Sequence, residues 1–203
     1  MEIKKDNTED KIIESATSVF IQKGMDGARM QEIADQAGIN KALLHYYFRS
    51  KEKLFDAIFT RIIGIAFPRI GQILFSDMPI LKKMELAVDT YIDLLLKYPF
   101  LPAFILKEIN RDATPFFGIV ERSGFSAEPI KRMLTEAMER GEIRKMKPEH
   151  LMVNIIALCV FPFAARPLVR HIAFHGSETE LKAFLAERRT EVKQFVLKAI
   201  QPE

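Results

Sequence analysis

The chain has one cysteine, Cys159, so no intrachain disulfide can form and a disulfide-stapled secreted fold is excluded. Cys159 lies inside an apolar run and reads as a small buried hydrophobe, not as a thiolate nucleophile. Charge of one sign is also lacking. The 30 Lys and Arg stand against 27 Asp and Glu, a net +3, too little to argue for a nucleic acid or a membrane surface from the total alone. The amino-terminal stretch MEIKKDNTED is polar and has no apolar signal core. The most apolar stretch, Leu151 to Ala165, is interrupted by Asn154 and Pro162 and falls short of the roughly 20 residues of a spanning helix. No membrane span is expected, and a cytoplasmic location follows. No β alternation and no internal repeat appear. The phosphate-cradling G-x-x-x-x-G-K, the metal-binding H-E-x-x-H and the nucleophile turn G-x-S-x-G are all absent, which leaves an enzyme reading with little support.

What is present is the balance of a globular protein: 203 residues, 48% hydrophobic and 28% charged, enough for one large or two small domains. The most informative stretch is residues 28–55, ARMQEIADQAGINKALLHYYFRSKEKLF. Ile33, Ala34 and Ala37 share one face of a short helix. Gly38, free to take positive φ, stops that helix, and Asn40 offers an oxygen to cap the next. In Lys41 to Phe48, Leu44 and Phe48 are four apart and anchor inward, leaving Lys41, Ala42, Leu43, His45 and Tyr46 to face outward. Between residues 37 and 53 the basic residues Lys41, Arg49, Lys51 and Lys53 face only Glu52. Positive charge is therefore gathered on the second helix and the turn after it. Two short helices around a tight turn, with an outward basic and aromatic face, point to duplex DNA as a partner. A helical adaptor that binds only protein is the rival, and charge alone, which also suits a solvated helix face, does not separate them.

The small alanine positions, the Ala-Gly turn, the short helix ending in aromatics and the run Ser50-Lys51-Glu52-Lys53-Leu54-Phe55 resemble the amino-terminal domain of TetR-type (TetR/AcrR) transcriptional regulators. The resemblance covers about residues 8 to 58. It implies an all-α fold, a helix-turn-helix DNA-binding domain over residues 1–55, and a helical regulatory and dimerisation domain over 56–203. It also implies DNA contacts by Arg29, Asn40, Lys41, Ala42, Leu43, His45, Tyr46, Tyr47, Ser50 and Lys51, with Lys51 and the helix start at Ser50 holding a phosphate. The sequence departs from the family pattern at Arg29, where Ser or Thr is usual, and at His45, where Tyr is usual. The family pattern further implies a homodimer on a pseudo-palindromic site, and a repressor that releases DNA when a small molecule enters its regulatory domain.

Helical spacing organises the rest. A first helix is expected from Asn7 or Thr8 to Lys23-Gly24, with Ile12, Ile13, Ala16, Val19 and Phe20 on its inner face. Ser50 caps a fourth helix that is apolar on more than one side. Helices follow to Lys97, Asn110 and Gly141, with Phe116 to Gly118 in an irregular segment or short helix. Two long carboxyl-terminal helices are expected, Pro148 to Phe174, kinked by Pro162 and Pro167, and Glu178 to Ile200. The stripe Leu181, Phe184, Leu185, Val192, Phe195, Val196 and Ala199, with the nearly all-round apolar Leu151 to Phe163, exceeds the needs of one domain edge and suits a partner copy; an internal core is the plainer reading. Phe59, Ile63, Phe67, Tyr91, Leu95, Phe104, Phe116, Phe117 and Met133 are candidate walls of an apolar effector cavity, though the same residues serve equally as core. His171 and His175 are four apart but have no third ligand beside them, so neither a metal nor another cofactor is expected.

Overall fold

The computed structural model describes residues 3–202, with Pro115 and residues 3–7 described in backbone only. Its described residues form eleven α-helices and no strand. They fall into two compact units that divide between Gly64 and Ile65.

The first unit holds α1 (Ile3–Gly27), α2 (Met30–Ala37), α3 (Lys41–Tyr47) and the first part of α4 (Lys51–Leu74). Its core is the face anticipated from spacing: Ile12, Ala16, Val19 and Phe20 of α1 are buried with Ile33 and Ala34 of α2, Leu44 of α3, and Leu54, Phe55 and Ile58 of α4. The Phe20 and Phe55 rings lie 5.5 Å apart and tilted, which joins α1 to α4. Ion pairs reinforce the same contacts at the rim, Lys23 with Glu32 at 2.5 Å and Arg61 with Asp10 at 2.6 Å. These are exposed pairs and contribute little. The first helix begins at Ile3, upstream of the expected Asn7 or Thr8. Cap preference is local and yields where preceding residues such as Lys4 and Lys5 are good helix formers. Gly24 breaks the helix as expected, at φ 67 and ψ 177, and a short turn of helix continues to Gly27.

Helix α4 is long and apolar enough by composition to cross a membrane, although Leu151 to Ala165 is the stretch that stands out as apolar in the sequence. Its apolar residues Leu54, Phe55, Ile58, Phe59, Ile62 and Ile63 are buried in protein, and core helices pass the same compositional test. Pro68 lies inside it.

The second unit contains the remainder of α4, then α5 (Ile80–Lys97), α6 (Leu101–Arg111), α7 (Thr114–Arg122), α8 (Ala127–Glu139), α9 (Pro148–Ala164), α10 (Arg166–Phe174) and α11 (Glu178–Ile200). Residues 116–118, left between loop and short helix by the sequence, are in α7. The core gathers Ile80, Met84, Val88, Ile92 and Leu95 of α5, Leu134 and Ala137 of α8, Leu151, Cys159 and Phe163 of α9, and Leu181, Leu185, Val192, Val196 and Ile200 of α11. At the edge of the α5 and α11 contact, Lys193 reaches Asp89 at 3.2 Å and Glu85 at 3.6 Å, while Arg189 reaches Asp89 and Asp93, each at 3.3 Å.

The expected single kinked helix from Pro148 to Phe174 is two helices meeting at 81°. Ala165, at φ −100 and ψ 29, is the corner. Two prolines act together there. Pro162 has no N–H for the carbonyl of Leu158 one turn back, and Pro167 has none for the carbonyl of Phe163 but fits the first turn of a new helix, so the chain is released at Ala165 and restarted at Arg166. The carbonyl that Pro162 leaves without a helical donor is not orphaned. A guanidinium N–H of Arg188, from α11, donates to it at 2.9 Å. The Arg188 guanidinium also lies 5.6 Å from the Phe184 ring centroid. Burial pulls its pKa below the ordinary arginine value, and its Nε is buried without a hydrogen-bond partner. A partly buried cation thus satisfies the one carbonyl that the proline frees.

Candidate nucleic-acid interface

The α2–turn–α3 unit is built by local chemistry. Arg29 precedes α2 in extended conformation, with no side-chain cap, and Ile33 N–H donates to its carbonyl. Gly38 ends α2 at φ 67 and ψ 32, a left-handed position where any Cβ would be strained. Its N–H donates to Asp35 at 3.1 Å, and the N–H of Ile39 donates to Ala34 at 3.0 Å, closing the helix end. The Asn40 side-chain oxygen then accepts from Leu43 N–H at 2.8 Å and caps α3. Leu44 is fully buried and Phe48 nearly so, which fixes the rotation of α3 about its own axis.

That rotation presents Lys41, Ala42, Leu43, His45 and Tyr46 outward, all exposed, with Tyr47 half-buried. Tyr46 is 72% exposed, the most exposed large aromatic or aliphatic residue among those described, and Leu43 is 37% exposed. The Tyr46 and Tyr47 rings meet edge to face at 5.6 Å. Nδ1 of His45 lies 3.3 Å from the carbonyl oxygen of Arg49 and donates to it in the tautomer protonated there. Arg29, Lys41 and Arg49 are exposed and form no ion pair among the described residues. At the start of α4 the Ser50 hydroxyl accepts from Lys53 N–H at 3.2 Å.

The Lys51 ammonium, expected on a phosphate, donates to the carbonyls of Met25 at 2.6 Å and Ala28 at 3.1 Å, with a longer contact to Asp26 at 3.5 Å. Arg49, exposed and beside the end of α3, was counted in the charge cluster but not among the contact residues; its signal was that same cluster.

The cavity candidates are only partly brought together. Leu95 is buried in the second unit's core, with Tyr91 and Met133 packed against that core. Burial raises the Tyr91 phenol well above its usual range and the Cys159 thiol to about 12. Phe67 stacks against Phe125 at 4.6 Å. Phe104 is buried, while Phe116 and Phe117 meet edge to face at 5.5 Å and Phe117 is 54% exposed. Phe59 and Ile63 are buried in the first unit. A surface recess lined by Met138, Gly141, Ile143, Arg144, Lys145 and Pro202 borders none of these residues. His171 lies in α10 and His175 at its left-handed end, φ 47. Among the described residues no cluster of three or more His, Cys, Asp and Glu is arranged to hold a metal.

The carboxyl-terminal stripe divides in two. Val192 and Val196 are buried in their own unit at 1% and 3% exposure, whereas Phe195 stands 63% exposed. Val153, Ile156 and Phe161 of α9, with Leu168 and Ile172 of α10, are also exposed.

Comparison with known proteins agrees with this geometry. Residues 12–58 match the family described as bacterial regulatory proteins, tetR family. The chain is 24% identical over 172 residues, 83% of each protein, to a probable HTH-type transcriptional regulator, YttP, of Bacillus subtilis. It is 40% identical over 57 residues, 28% of this chain and 27% of the other, to the HTH-type transcriptional repressor NicS of Pseudomonas putida. In three dimensions it is similar to a TetR/AcrR-family transcriptional regulator of Thermobifida fusca, with a TM-score of 0.70 at 19% identity over 94% of this chain and 97% of that one. These relatives are described as regulators of transcription, not as enzymes.

Proposed function

Taking the chain as what residues 12–58 make it, a TetR-type transcriptional regulator, we propose that it is a cytoplasmic repressor that binds a pseudo-palindromic operator as a homodimer. The observation that carries the reading is the outer face of α3. Asn40 caps this helix and Leu44 and Phe48 pin it, so a short rigid element presents Lys41, Leu43, His45 and a largely exposed Tyr46 to solvent. A major groove accepts both the lysine and the ring: lysine donates to guanine acceptors, and the tyrosine packs on base edges or its hydroxyl donates to phosphate. Asn40, Ala42 and Tyr47, at the start and flank of the same helix, complete the groove contact, with Arg29 on the phosphates. The start of α4 at Ser50 suits another phosphate.

Dimerisation through α9, α10 and α11 follows from the exposed Val153, Ile156, Phe161, Leu168, Ile172 and Phe195. A two-fold pair of α3 helices would then read successive turns of the duplex. The repressor role is supported by the likeness of 57 residues of the chain to NicS. For the effector we take a small apolar or aromatic molecule, received among the apolar side chains of the second unit, where Tyr91, Leu95 and Met133 lie in or against one core.

The test is selection of bound duplexes from random DNA with the purified protein, followed by titration of the enriched site at several salt concentrations. A repressor of this kind enriches a site with two related halves and binds it with a steep salt dependence. Small molecules are then screened for release. By reciprocity, a compound that weakens operator binding tenfold binds about tenfold more weakly to the DNA-bound protein, a coupling of about 1.4 kcal/mol. No enrichment from random DNA would refute the reading.

A further inference from the structure

We infer that Lys51 is a positioning residue of the DNA-reading head, a tether between the start of α4 and the entry to α2, and not a phosphate anchor. The inference rests on the DNA-reading role proposed above. Three observations carry it. First, Met25 lies in the last turn of α1, after its break at Gly24, where helix carbonyls have no helical donor, and Ala28 lies in the connection that follows. Second, the Lys51 ammonium donates to both carbonyl oxygens, at 2.6 Å to Met25 and 3.1 Å to Ala28, with a longer contact to Asp26 at 3.5 Å. Reaching an oxygen outside the protein would mean giving up these bonds. Third, Ala28 is buried and immediately precedes Arg29, whose carbonyl accepts the N–H of Ile33 in the first turn of α2. The tether therefore fixes where α2 starts. α2 in turn sets α3 through the Gly38 turn, and α3 carries the groove-facing side chains.

The chemistry favours this arrangement over a surface lysine swung towards DNA. A charged donor on a carbonyl at a helix end satisfies an orphan acceptor and opposes the negative end of the helix dipole. Leaving those oxygens unpaired to reach a phosphate would strip a partly buried turn of its donors. The bonds cross 26, 25 and 23 residues of sequence, so they restrain the tertiary arrangement of the head and not merely a local turn.

The experiment uses the full chain, with Lys51→Met and Lys51→Gln, and two readouts. Lys51→Met keeps the stem and loses every donor. Lys51→Gln is also neutral but can still donate to two carbonyls. On the enriched operator, the tether reading expects about a tenfold loss for Lys51→Met with an unchanged salt slope, and recovery to within about threefold of the original protein for Lys51→Gln. A phosphate anchor instead makes the two neutral variants equally weak and lowers the salt slope by about one; that result overturns the inference. The second readout needs no DNA. Hydrogen exchange of the α2 amides, Ile33 and Ala34 among them, should accelerate in Lys51→Met and less so in Lys51→Gln. If the original protein binds no duplex, the proposed function fails and exchange alone decides the tether: acceleration upholds it, and exchange unchanged in both variants overturns it. Should Lys51→Met fail to fold, the comparison of Lys51→Gln with the original protein carries the same two outcomes.

Discussion

Replacing Arg188 by Met tests whether a side chain from α11 substitutes for the hydrogen bond that Pro162 removes from α9. Methionine retains an unbranched apolar stem, so the change deletes chiefly the guanidinium donation to Leu158 at 2.9 Å and the approach to the Phe184 ring at 5.6 Å. A bond from a charged donor contributes about 1.5–3 kcal/mol. A partly exposed cation–π contact adds about 0.5–1 kcal/mol. Against these stands relief of the buried, unpartnered Nε, so a net loss of about 2 kcal/mol is expected. For a chain of this size that lowers Tm by roughly 4–8 °C. The decisive step is to repeat the change in a Pro162→Ala background. Alanine returns an N–H to residue 162, which then donates to Leu158 within the helix, and the oxygen no longer depends on Arg188. The cost of Arg188→Met should fall to about 0.5 kcal/mol, leaving a coupling of about 1.5 kcal/mol in a double-mutant cycle read by denaturant titration. Equal costs in the two backgrounds, within about 0.3–0.5 kcal/mol, would refute the link between proline and arginine.

Three further outcomes follow from exposure and burial. Phe195→Glu places a carboxylate on an exposed apolar surface and should give a folded monomer by sedimentation with much weaker operator binding; a stable dimer with unchanged affinity would remove α11 from the interface. Val192→Glu, at a residue 1% exposed in its own unit's core, should instead unfold that unit, with loss of the cooperative melt. Cys159, its thiol pushed up to about 12 by burial, should resist thiol reagents at pH 8 in the native protein and react at an ordinary rate in denaturant. Rapid native labelling would show that the core around it opens.

How much of this was legible in the sequence depends on how far each interaction reaches along the chain. Gly38, Asn40, Leu44 and Ser50 act within one helical turn, and the turn between α2 and α3 formed as their types and spacing required. The fate of Lys51 was hidden because its partners lie 23 to 26 residues upstream, and nothing local distinguishes an ammonium turned inward from one in solvent. The carboxyl-terminal helices show the same limit. Val192 and Phe195 are both apolar and three apart, and only the position of α5 decides that one is core and the other surface. The two prolines announced a bend near residue 165, but neither its 81° size nor the hydrogen bond from Arg188, 30 residues further along the chain, to the carbonyl of Leu158 has a local signal. Phe and Met residues were the least informative, since packing and ligand contact ask the same chemistry of them, and Phe59 and Ile63 proved to be core of the first unit.

The most direct test of the central claim, that the outer face of α3 reads bases, is the base preference of three proteins selected in parallel from random duplex DNA: the original chain, Lys41→Ala and Tyr46→Ala. The account expects a two-half site for the original chain. In each variant, preference should relax at one or two positions per half-site, by about 1–3 kcal/mol per position or roughly 5- to 150-fold, with the other positions unchanged. The contrary result is the same base preference in all three proteins with only overall affinity altered, which would place Lys41 and Tyr46 off the bases and take sequence reading away from α3.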